Sequence, residues 1–97
     1  MPRQTVITHL QIAMTKHEVL EIFFESGRPL TPDAVCRQLR GFHFRSSVYS
    51  YLFRLHKQGL LLRAPLYGRV AYQISERGIE RLRFFRFQEG QQTEVRP

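Results

Sequence analysis

At 97 residues the chain is long enough for one domain around a single small core, and too short for a deep active site walled by two structural layers. Its hydrophobic content of 42%, which includes eight Phe, suffices for that core, while 15 Lys and Arg against 8 Asp and Glu leave a net charge of +7. Such a balance points to nucleic acid, an anionic membrane surface or an acidic protein as partner.

The charge is unevenly placed. Residues 37–86 hold eleven basic side chains and only Glu76 and Glu80, a net +9, whereas the remainder sums to −2. Arg outnumbers Lys, which suits forked hydrogen bonding to phosphate. A single cysteine, Cys36, cannot close an intramolecular disulfide and is expected to pack as a small hydrophobe in a reducing compartment. No apolar run approaches the ~20 residues that span a bilayer. "MPRQTVITHLQIAM" has one Arg and no small-residue cleavage site behind a long apolar core, so it is a poor signal peptide and a cytoplasmic location is expected.

In chain order, residues 1–14 read as an N-terminal arm or helix, because Val6, Leu10, Ile12 and Met14 fit strand alternation while Val6, Leu10 and Ala13/Met14 also fit a helix. "TKHE" at 15–18 is a capping box, in which Thr15 accepts from the backbone at Glu18 and Glu18 reaches back. Val19, Leu20, Phe23 and Phe24 follow at helical spacing, Gly27 ends that helix in the left-handed conformation, and Pro29 prevents its resumption. Thr31, Pro32 and Asp33 start a second, short helix with Val35 and Leu39 inward and Gly41 as its stop. In the connector, Phe42 or Phe44 is expected to plug the core.

A third helix over about 46–58, capped by Ser46 or Ser47, has Val48, Leu52 and Leu55 as its inner stripe and Gly59 as its end. Leu60 and Leu62 are then sent back under it. "LLLRA" and "RVAYQI" are strand-like runs, with Pro65 and Gly68 supplying turn chemistry in "PLYG" between them. A last helix capped by Ser75 carries Ile79, Leu82 and Phe84 or Phe85 on one side. The polar stretch 89–97 reads as a flexible tail, which leaves 15–88 as the folded domain.

Helix, short helix, helix, strand, tight loop, strand, helix is the winged helix-turn-helix order: mainly α with a small β-hairpin wing. At this point the chain resembles a family. "LTPDAVCRQL", "SSVYSYLFRLHKQGLLLR" and "VAYQISERGIERL" are similar to the winged-helix transcriptional regulators of the MarR/PadR/ArsR type. Leu30, Thr31, Val35, Leu39, Ser47, Val48, Leu52, Leu55, Gly59, Leu60, Leu61, Arg63, Tyr72, Ile74, Ser75 and Gly78 carry the match, over about residues 17–83. Two departures stand out: "APLYGR" is shorter than the family's usual wing, and "RGFHFR" is longer than its usual inter-helix turn.

The expected function is sequence-specific binding of double-stranded DNA by a transcriptional regulator. Burying Val48, Leu52 and Leu55 leaves Ser46, Ser47, Tyr49, Ser50, Phe53, Arg54 and Lys57 on the outer sides of the third helix, with Arg45 at its start, where the Ser, Tyr and basic side chains can meet base edges and phosphates. A basic wing over 63–69 adds Arg63 and Arg69. For Tyr51, and to a lesser degree Tyr49, core packing competes with base contact as a reading.

The resembling regulators dimerise through elements flanking the winged domain. Val6, Leu10 and Met14 before it, with Phe84 and Phe87 after it, are the corresponding candidates for a homodimer contact. The four His show no metal-site spacing, and neither a catalytic Ser/His/Asp grouping nor a glycine-rich phosphate loop occurs. No enzyme activity, cofactor, metal or membrane partner is therefore expected, and the protein should sit in the cytoplasm with the nucleoid. The rival readings are a winged-helix protein–protein adaptor and a low-specificity architectural chromatin protein.

Overall fold

The computed structural model describes residues 13–95. It contains four helices and one antiparallel hairpin: α1 (Lys16–Ser26), α2 (Pro32–Gln38), α3 (Arg45–Lys57), β1 (Leu61–Arg63), β2 (Tyr72–Ile74) and α4 (Glu76–Val95). The architecture is the mainly helical, winged arrangement that the order of elements predicts. Residues 1–12 of the expected N-terminal arm lie outside the described residues. None of the described helices is long and apolar enough to cross a membrane.

One core holds the elements together. Val19, Leu20 and Phe23 of α1, Val35 and Leu39 at α2, and Val48, Leu52 and Leu55 of α3 are buried against Leu60, Leu61, Tyr72 and Leu82. The inner stripe of α3 is thus the one its 3.6-residue periodicity predicts. Met14, Cys36, Tyr51, Ile74 and Phe85 seal the rim.

The helix ends follow their local chemistry. Thr15 Oγ1 accepts from the Glu18 N–H at 3.1 Å, and Thr31 Oγ1 from the Ala34 N–H at 3.2 Å, with Pro32 in the first turn. Gly27 sits at φ 70° and its N–H bonds to the Phe23 carbonyl. The Glu18 carboxylate, however, does not close the capping box. It accepts from the backbone N–H of Arg40 at 2.7 Å, so the acid ties α1 to the chain just after α2.

Three expectations around α3 are corrected. Its N-cap is Phe44, with no side-chain cap, rather than Ser46 or Ser47. Instead, the Arg45 guanidinium forks onto Asp33 at 2.9 and 3.2 Å and anchors the first turn to the start of α2. Neither Phe42 nor Phe44 plugs the core; they are 66% and 67% exposed and stack edge-to-face on each other with centroids 5.2 Å apart. The space between α2 and α3 is already filled by Val35, Leu39, Val48 and Leu52. After Gly59, Leu60 and Leu61 turn inward and Leu62 faces out, because the strand begins at Leu61 and alternation then sends its neighbour to solvent.

Past α3 the chain makes a closed junction. Gly59 adopts φ +82°, and the Leu60 N–H bonds to the Leu55 carbonyl at 3.0 Å. The Ser75 hydroxyl donates to the Gly59 carbonyl at 2.6 Å and accepts from the Gly78 N–H at 3.0 Å. The Ser75 N–H bonds in turn to the Leu60 carbonyl at 3.1 Å. Gly78 lies so close to the residue before β1 that a Cβ there would stand 2.3 Å from the Leu60 carbonyl oxygen. The serine and the glycine three residues on are therefore one device: the first caps α4, and the second lets α4 lie against the Leu60 backbone.

The hairpin keeps a single register. Leu61, Leu62 and Arg63 pair with Ile74, Gln73 and Tyr72, the Ala64 N–H bonds to the Ala71 carbonyl, and Leu66 exchanges both backbone hydrogen bonds with Arg69. The two loop residues are Tyr67 at φ 52° and Gly68 at φ 75°. Two positive φ values in a two-residue loop make a type I′ turn, matched to the right-handed twist of the strands. Pro65 thus belongs to the arm of the hairpin and not to its turn. On the other edge, Leu30 exchanges two backbone hydrogen bonds with Tyr72, fastening the start of α2 to the wing.

The last helix also runs further than expected. It continues to Val95 instead of giving way to a tail at residue 89. No proline intervenes, and the single Gly90 costs only about 1 kcal/mol relative to Ala in a helix.

Candidate nucleic-acid interface

Packing of α3 by Val48, Leu52 and Leu55 fixes what its other side displays. Ser46, Ser50, Phe53 and Lys57 succeed one another at spacings of four, three and four, so they form one stripe opposite the core, with Tyr49 beside it and Ser47 and Arg54 on the flank. All seven side chains are exposed. Lys57 Nζ lies 5.5 Å from the Phe53 ring centroid, and the Arg54 guanidinium carbon 6.0 Å from that of Tyr51. Each cation is thus steadied over an aromatic face without losing its charge to a carboxylate.

Tyr51 resolves as a packing residue. Its ring seals the rim of the core, and that burial pushes its phenol above the ordinary range, with Arg54 partly opposing the shift. Tyr49 faces solvent. It stands beside Arg45, whose guanidinium is held more firmly protonated by the Tyr49 hydroxyl and by Asp33.

The start of α3 joins the same surface. Because Phe44 offers no capping side chain, the backbone N–H groups of the first turn point outward at the positive end of the helix. Arg45 stands next to them and is mostly exposed despite its fork onto Asp33. Phe42 and Phe44 project just before it. The expectation that one of these two rings plugs the core fails because apolar composition alone does not reveal that the α2–α3 interface is already full.

Beyond α3, Arg63 and Arg69 are exposed on the wing, and Tyr67 at its tip is 95% exposed. Tyr67 escaped the sequence reading. Its signal was present, however: Gly68 at the second position of a two-residue loop between strand-like runs marks a type I′ turn with Tyr67 at the apex.

Between α1 and α4 some charges are engaged. Arg86 of α4 meets Glu21 at 2.6 Å and Glu25 at 3.8 Å, and lies over the Phe24 ring at 5.2 Å. His17 approaches Glu21 at 3.4 Å and stacks on Phe85. Glu21 and Glu25 of α1 thus share one internal cation, Arg86. By contrast, none of Arg54, Lys57, Arg63 and Arg69 has a carboxylate partner among the described residues.

The candidate dimer residues divide. Val6 and Leu10 lie outside the described residues, Met14 is half-buried against the core, and Phe84 and Phe87 are 53% and 62% exposed on α4. Among the described residues no three His, Cys, Asp or Glu side chains group so as to hold a metal ion.

No family model matches the sequence, and no curated protein matches it significantly. Solved structures do resemble it. One is a ferric uptake regulator from Francisella tularensis, determined with iron: 22% identity, TM-score 0.56, over 67% of this chain and 54% of that one. Another is AntR, an antimony-specific transcriptional repressor: 17% identity, TM-score 0.62, over 98% of this chain and 83% of that one. The match spans only about half the length of the ferric uptake regulator. At these identities the likeness is one of fold, and the fold it shows is that of winged-helix regulators.

Proposed function

We propose that the protein is a transcriptional regulator of the MarR/PadR/ArsR kind that binds double-stranded DNA. The outer stripe of α3 enters a major groove, while Arg63 and Arg69 of the wing engage the flanking backbone. The observation that carries this reading is the grouping of exposed cations on α3 and the wing, Arg54, Lys57, Arg63 and Arg69, none of which has a carboxylate partner among the described residues. Ser46, Ser47, Ser50 and Tyr49 supply donors and acceptors that can read base edges. Arg45, Arg54, Lys57, Arg63 and Arg69 supply the phosphate contacts. The fold shared with two metal-named regulators agrees with this, although the chain displays its own side chains.

The regulator acts as a homodimer. One winged domain makes few base contacts, and two copies would set their α3 helices in successive major grooves about 34 Å apart. Exposed Phe84 and Phe87 on α4 offer apolar surface for that contact, and Val6 and Leu10 are candidates by sequence that lie outside the described residues.

Titration of labelled random duplexes across a salt series tests the reading. The logarithm of the association constant should fall linearly with the logarithm of salt concentration, with a slope of about −0.9 per phosphate contact. Absence of binding at low salt would overturn it in favour of the adaptor. Equal affinity for every duplex would leave an architectural binder. Sedimentation at tens of micromolar decides assembly, a monomer ruling out the dimer.

A further inference from the structure

Tyr67 is the one residue of the wing that neither local preference nor packing accounts for. The continuous hairpin register makes it the first residue of a two-residue loop, at φ 52°. Asn, Asp and Gly take that position readily, whereas an aromatic side chain there is strained. No packing offsets the strain, because the ring is 95% exposed and has no hydrogen-bond, ring or cation partner among the described residues. Strain kept at an exposed position is a reason to look for a ligand outside the chain.

The surroundings narrow its chemistry. Arg69 closes the same turn, Arg63 stands lower on the hairpin, both are exposed, and neither has a carboxylate partner among the described residues. An aromatic apex flanked by free guanidiniums can press a flat ring against bases while the cations hold phosphates on either side.

We propose that Tyr67 contacts DNA directly, wedging into a base step from the minor groove beside the site of α3, and so gives the protein a preference for deformable duplex. This rests on the duplex-binding reading above and adds a specificity residue to it. A wedge must partly unstack the step it enters, which pyrimidine–purine steps allow and stiff A-tracts resist. Arg63 and Arg69 alone would favour the opposite, since narrow A-tract grooves attract guanidinium groups.

The chain has no tryptophan, so Tyr67→Trp introduces a single reporter at the wing tip. Binding is followed separately by the anisotropy of a labelled duplex, using alternating A/T and A-tract duplexes of equal length and composition. Trp fluorescence should be quenched as the alternating duplex saturates, and the wild type should bind that duplex several-fold more tightly than the A-tract. Tyr67→Asn suits the turn and should keep or raise the thermal midpoint. It should leave the salt slope unchanged and abolish or reverse the duplex preference.

If anisotropy shows saturation while the Trp signal is unmoved, or if Tyr67→Asn keeps the preference, the wedge is refuted and the duplex reading survives. Absence of any anisotropy change at low salt overturns both. Quenching by an acidic protein and not by duplex would assign the tip to a protein partner and refute the proposal.

Discussion

The turn that ends α3 and the turn at the wing tip both place backbone at positive φ, yet they are held in opposite ways. Around Gly59, hydrogen bonds from Ser75, Leu60 and Gly78 close on one another, and α4 lies against the Leu60 carbonyl with no room for a methyl group at Gly78. At the tip, a Cβ on Gly68 would meet nothing within 4 Å, and Tyr67 touches only solvent. The first turn is fixed by everything around it, and the second only by the register of its own hairpin. Positive φ values therefore carry different information in the two turns: one reports how α3, the wing and α4 are locked together, the other how a side chain is presented.

Substitutions should separate the two. The largest effect is expected at the base of the closed turn. Leu55→Ala empties a fully buried position on α3 beside the junction, and should cost roughly 2–5 kcal/mol in urea unfolding. A silent change would mean that α3 is rotated from the phase described. Next comes Gly78→Ala, whose methyl would collide with the Leu60 carbonyl oxygen and with Ile74 Cγ1, neither of which can swing aside freely. A loss of about 3 kcal/mol is expected, at the upper end for overpacking, and is a large share of the total stability of so small a domain. An unchanged unfolding midpoint would show that α4 can slide away and that the junction is not closed.

At the open turn the same kind of change should matter less. Gly68→Ala meets no atom and incurs only left-handed strain, about 1 kcal/mol. A loss as large as that at Gly78 would show that the tip is packed after all, and the comparison would fail.

The sequence made these regions legible to different degrees. The caps at Thr15, Thr31 and Ser75, the stops at Gly27 and Gly59 and the stripe of Val48, Leu52 and Leu55 follow from local rules, because each depends on neighbours within one or two turns. What escaped depends on distant residues. Glu18 could be placed in a capping box, but its bond to the Arg40 N–H spans 22 positions. The exposure of Phe42 and Phe44 depends on how completely other side chains fill the gap between α2 and α3. The candidate interface was readable as a face of α3, since periodicity assigns faces. The tip was less legible, because "PLYG" offers both Pro65 and Gly68 as turn residues and only the strand pairing shows that the loop is Tyr67 and Gly68.

Smaller effects on stability should accompany larger ones on binding. Arg54→Ala and Arg63→Ala remove exposed cations that no carboxylate among the described residues holds, so unfolding should shift by no more than about 0.5 kcal/mol. Each should lower the magnitude of the salt slope by about 0.9 if it meets one phosphate. An unchanged slope for both would move the interface away from α3 and the wing.

The finest test concerns the one candidate cation that does have a partner. Arg45 stands at the edge of the proposed interface but is forked onto Asp33, so the acid and a phosphate would compete for the same guanidinium. Asp33→Asn removes the competing charge and keeps a side chain of nearly the same shape. Asp33 also lies in the first turn of α2, where a negative charge is favourable, so stability should fall by roughly 0.3–1 kcal/mol. Duplex affinity should rise at low salt and the salt slope should steepen, because Arg45 becomes free to displace counterions. Anisotropy titrations of both proteins at several salt concentrations measure this directly. Equal slopes would mean that Arg45 stays bound within the chain, an anchor for the first turn of α3 that belongs with the closed junction and not with the reading face.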